Sequence, residues 1–120
     1  NQIDWSWKEK HLQTVAYYKN LIQLRKAHPA FRMKTADEVR KNLAFKTVEN
    51  GLLSYQISHN ANGDTWKNIY VVYNARPEAV EYLLPGKWTL AVVGDDFNAN
   101  TIVEGRIEVR GRTMLIAFQP

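Results

Sequence analysis

Two hydrophobic periods divide the chain. Leu12, Val15, Tyr18 and Ile22 recur at helical spacing and form one stripe, and Tyr17, Leu21 and Leu24 form a second, offset from the first. At roughly 100° per residue the two stripes cover more than one amphipathic face, so the helix they predict, from about Trp7 to Ala27, needs neighbours on more than one side. The region that follows can supply one neighbour; no stretch of the sequence supplies the other. Pro29 ends the helix, since it lacks an amide hydrogen and drives His28 out of the α region. Arg25 and Lys26 stand at that end, where cations suit the negative pole of the helix. At the start, Asp4 or Ser6 can cap free amides, with Glu9 in capping-box register to Ser6.

After an irregular link from His28 to Thr35, Thr35-Ala36-Asp37-Glu38 opens a short helix through about Lys41, capped by Thr35. The period then changes from helical to alternating. Leu43, Phe45 and Thr47 alternate up to the hairpin signal Asn50-Gly51, and Leu53, Tyr55 and Ile57 follow it. The loop from His59 to Thr65 holds a second turn signal, Asn62-Gly63-Asp64. Ile69, Val71 and Tyr73 alternate before Pro77, and Val80, Tyr82 and Leu84 before Pro85-Gly86. Trp88, Leu90 and Val92 run up to Gly94-Asp95-Asp96. Ile107 and Val109 pair across Gly111 with Met114, Ile116 and Phe118. The expectation is an α+β chain: a leading helix, then an all-β sandwich of about seven short antiparallel strands.

Composition narrows the function classes. With 120 residues, 45% hydrophobic and 23% charged, the chain can bury a real core. The net charge of +4 is spread along the sequence. Its densest basic run, Lys34 to Lys46, is interleaved with Asp37 and Glu38, so no nucleic-acid partner is expected. No apolar run reaches the roughly 20 residues of a membrane span, and no membrane partner is expected. The absence of cysteine excludes disulfides and thiol catalysis. His11, His28 and His59 match no local metal motif, so neither metal nor cofactor is expected. Asp95-Asp96, the only adjacent carboxylate pair, follows a glycine at a strand end and reads as a turn rather than as a hydrolytic pair. Among the aromatics, Tyr73 and Trp88 share faces with aliphatic neighbours and are expected in the core. Trp66 and Tyr70 are the candidates for stacking on a sugar ring.

The order of segments NQIDWSWKEK, YYKNLIQLRKAHPAFR, TADEVRKNLAF and NANGDTWKNIYVVYNA resembles the C-terminal part of type I pullulanases, members of the α-amylase superfamily of glycoside hydrolases. The LRKAHPAFR segment with TADEVRKNL behind it carries the resemblance most specifically; past about Ala79 the likeness is mainly architectural. The resemblance implies a parent with a (β/α)8 barrel that hydrolyses α-1,6 linkages in pullulan and related α-glucans, followed by an all-β domain. Residues 1–34 would then be the last outer helix and flanking loops of a truncated barrel, and residues 35–120 the all-β domain. The family's catalytic carboxylates lie upstream, so no residue here takes a catalytic role and the fragment alone should be inactive. Asn1, Asp4 and Trp5 match a loop near the active-site mouth and are candidates for a substrate rim. The implied partner is the upstream barrel of the same parent, with α-glucan binding through surface aromatics as the alternative role. The abrupt start at NQIDW reads as a cut inside a longer protein, and exported, cell-surface and cytoplasmic parents all stay open. Without the barrel, one helix stripe lacks its cover, and the isolated chain is expected to fold the helix onto the sandwich or to self-associate through it.

Overall fold

A computed structural model describes residues 5–120, with side chains from Leu12 onward. Helix α1 spans Trp5–Ala27. It ends where the sequence says it must, with a short 3-10 turn over Pro29–Arg32. Arg32 folds back so that its Nε donates to the Arg25 carbonyl at 2.9 Å and its Nη2 to that of Lys26 at 3.3 Å, satisfying carbonyls left over at the helix end. Helix α2 covers Ala36–Asn42, and the Thr35 hydroxyl accepts from the Glu38 amide at 3.1 Å as its cap. The Asp4 and Ser6 capping expectation lies outside the described side chains.

The β-region is one antiparallel sheet of six strands: β1 Leu43–Glu49, β2 Leu52–Ile57, β3 Asn68–Asn74, β4 Val80–Val93, β5 Thr101–Val109 and β6 Thr113–Gln119. Their order in the sheet is β1-β2-β3-β6-β4-β5. The α+β class with an all-β C-terminal part therefore holds, and the strand count drops from the expected seven to six. The difference lies at Pro85-Gly86, which bends a strand instead of ending it. Leu83 pairs with Arg106 and Lys87 with Glu104, so the residues between them bulge opposite Gly105. The indole Nε1 of Trp88 donates to the Pro85 carbonyl at 3.0 Å and fastens the bend. Strand β5 starts well before Ile107 and takes up a polar stretch that alternation alone did not mark.

The bend carries the first half of β4 across one face of the sheet. Although β4 pairs only with β5 and β6, the Tyr82 hydroxyl meets Thr47 on β1 at 3.1 Å, Ser54 on β2 at 2.5 Å and Tyr70 on β3 at 2.6 Å. The sheet thus folds over a core of Leu52, Tyr70, Val72, Leu84, Trp88, Val109 and Leu115. A second cluster occupies the opposite face, where Ile57, Ile69, Val71, Met114 and Ile116 are covered by Leu21 and Leu24 of α1 and by Phe31 and Met33 of the link.

Candidate functional site

The helix–sheet junction is where the sequence pattern and the structure meet. Of the two stripes on α1, one is used. Leu21 and Leu24 pack on the second core cluster, and the Tyr17 ring meets Phe97 edge-on at 5.7 Å. Leu12, Val15, Tyr18 and Ile22 face away from the sheet and are 49–60% exposed. Four large apolar side chains repeating along one helix face form a surface built for another body, because leaving such area in water forgoes roughly 25 cal/mol per Å2.

The angle at which α1 leaves the sheet is set by Asp64, which lies in the loop between β2 and β3 and is 3% exposed. Its Oδ2 accepts from the Ala30 amide at 3.0 Å, and its Oδ1 from the Trp66 amide at 2.8 Å and from His28 Nδ1 at 3.0 Å. Asn62 adds its Nδ2, which donates to the carbonyls of Pro29 at 2.9 Å and Arg32 at 3.2 Å. Asn62 can do this because it sits in the left-handed region, at φ 54°. The link after α1 is therefore bolted to the β2–β3 loop by side chains that sequence reading assigned to turn chemistry. The His28 imidazole turns to Asp64, and Arg32 takes the helix carbonyls.

The two expected sugar-stacking residues do not present ring faces to solvent. Trp66 lies between His28, with ring centroids 3.5 Å apart, and Phe118 at 4.2 Å, so both of its faces are covered. Tyr70 is 3% exposed, with its hydroxyl bonded to Tyr82, and burial pushes its phenol well above the ordinary tyrosine range. Tyr70 is a core residue, and Trp66 is half-buried with its ring stacked between neighbours, so the structure gives neither a free ring face for a sugar. The structure brings neither to the other: Tyr70 belongs to the first core and Trp66 to the second. Trp88 is in the core as expected, whereas Tyr73 is 42% exposed. Asp96 is held in its turn, its Oδ1 accepting from the Asn98 amide at 2.8 Å. His59 Nδ1 lies 3.0 Å from Asn42 Oδ1. Asn1 and Asp4, and the side chains of Trp5 and His11, lie outside the described residues. Among the described residues no three histidine, aspartate or glutamate side chains gather in a metal-binding group, and no helix is long and apolar enough to cross a membrane.

The family profile described as "Pullulanase, all-beta domain" matches residues 39–96. The chain carries the all-β domain of the pullulanase family. The pullulanase of Bacillus subtilis (strain 168) is 40% identical to it over 85 residues, which is 71% of this chain and 12% of that protein. Among solved structures, a pullulanase from Bacillus acidopullulyticus superposes with a TM-score of 0.86 at 38% identity, covering 99% of this chain and 15% of that one. A type I pullulanase from Bacillus subtilis, solved with maltose, gives 0.85 at 33% identity, covering 98% and 17%. The chain thus spans less than a fifth of the pullulanases it matches. The likeness to them runs through α1 and the junction as well as through the all-β domain.

Proposed function

We propose that this chain is the C-terminal part of a pullulanase-like debranching enzyme and that its role there is to cover and stabilise the catalytic barrel. In this reading residues 1–34 are the last outer helix of the barrel with its flanking loops, and residues 35–120 form the all-β domain. The whole enzyme hydrolyses α-1,6 linkages in pullulan and related α-glucans with carboxylates supplied elsewhere, and this part contributes none. Asn1, Asp4 and Trp5 border a substrate subsite at the barrel mouth. The observation that carries the proposal is the exposed stripe Leu12, Val15, Tyr18 and Ile22, on a helix whose other stripe is already packed. The small share of each matched pullulanase that this chain spans supplies a body to cover it. The bolted junction gives that body a fixed seat on the β-domain.

The test is a chimera in which this chain replaces the matching segment of the Bacillus subtilis pullulanase. The chimera is expected to cleave pullulan, while the 120-residue chain alone releases no reducing ends. Converting Tyr18 and Ile22 to serine is expected to lower the chimera's inactivation temperature by several degrees without lowering the melting temperature of the isolated chain. A polar-stripe chimera as stable as its parent, or pullulan cleavage by the chain alone, would overturn the proposal.

A further inference from the structure

An open groove of about 750 Å3 lies beside α1, at the end of the central strands β3 and β6, away from both covered rings. Tyr17 stands on the helix side and Tyr73 on the sheet side; Asp95, Arg110 and Arg112 complete the lining. Among the described residues, the side chains of Asp95, Arg110 and Arg112 make no hydrogen bond or ion pair, although they share one groove. Planar charged groups of both signs beside phenol rings match what a pyranose presents: an apolar C–H face for the ring, and vicinal hydroxyls that donate to a carboxylate and accept from a guanidinium. The open shape suits a chain passing through rather than an enclosed small molecule, and the size is that of a ligand cleft.

A second observation concerns the backbone. In the turn between β5 and β6, Arg112 takes φ 56°, a conformation that favours glycine or asparagine. Gly111 before it is pressed against Pro77, where an added Cβ would stand 2.1 Å from the carbonyl oxygen. The chain reverses at residue 112, tied by its amide to the Arg76 carbonyl at 3.0 Å. A side chain the fold does not need, held in a conformation the backbone disfavours, points to use of the side chain itself.

We propose that this groove binds a short α-glucan chain, with Tyr73 as the stacking platform and Asp95, Arg110 and Arg112 as its hydroxyl partners. The choice of α-linked glucose rests on the functional reading above; the choice of a saccharide rests on the groove. The experiment is isothermal titration of the 120-residue chain with maltotetraose, with cellotetraose as the β-linked control. Arg112→Gly and Asp95→Ala are each expected to weaken maltotetraose binding about tenfold or more, the scale of losing a hydrogen bond to a charged group. Arg112→Gly relieves the left-handed residue, so its melting temperature should hold or rise, which separates lost recognition from lost fold. Absence of binding at millimolar maltotetraose, wild-type affinity in both variants, or equal affinity for cellotetraose would overturn the proposal. None of these outcomes alters the polar-stripe result in the chimera, so the two readings fail separately.

Discussion

At the scale of single residues, Asp64 shows what the loop between β2 and β3 is for. A buried carboxylate with three donors is a fastening, and removing it strands the Ala30 amide and the His28 imidazole. Asp64→Ala is expected to cost about 3 kcal/mol, read from urea unfolding, with Asp64→Asn costing less because an acceptor remains. Tyr55 makes a pH prediction. Burial pushes its phenol up to about 12. The unfolded chain then loses this proton first, near the ordinary value of about 10, while the folded chain still holds it. Stability is fully present below pH about 10 and falls as pH rises toward 12, by roughly 2 kcal/mol after discounting partial exposure. Urea midpoints measured across that window should fall, and Tyr55→Phe should flatten the fall. Neither residue stood out in the sequence. Asp64 sits in Asn-Gly-Asp, and the same letters that mark a turn also supply a buried anchor. Tyr70 was misplaced for a related reason. On β3, Ile69, Tyr70, Val71 and Val72 are all buried, because both faces of the sheet are covered, and alternation then no longer tells inside from outside.

At the scale of elements, the two stripes of α1 separate cleanly. Leu24→Ala, on the packed stripe, should cost about 2 kcal/mol in urea unfolding, whereas Ile22→Ser, on the open one, should change stability by less than about 0.5 kcal/mol. The same Ile22→Ser substitution should reduce concentration-dependent association of the isolated chain in sedimentation velocity; wild-type chain that stays monomeric at high concentration would count against the open stripe as a docking face. This division was legible from spacing alone, since offset stripes on one helix ask for separate partners. The strand boundaries were less so. Pro85-Gly86 carries the same local signal whether the chain turns back or merely bends, and only the pairing of Leu83 with Arg106 and Lys87 with Glu104 decides between them.

At the scale of the whole molecule, the helix, the link and the sheet extend over 55 × 31 × 27 Å, and the sheet is clad on one face by its own folded strand and on the other by α1. The fold class and the order of elements followed from the switch between helical and alternating periods. The folding-over of the sheet did not, because it depends on Tyr82 reaching hydroxyl groups on three strands with which β4 does not pair. One consequence comes from the bent strand itself. It gives Tyr82, Leu84, Trp88 and Leu90 to one core and, through a second bulge at Ala91, Ala91 and Val92 to the other. A single length of backbone therefore runs through both interiors like a shared keel. Loosening either interior drags on the other, so the domain has no natural line along which to come apart in halves, and a load arriving through the helix is borne by the entire β-structure at once.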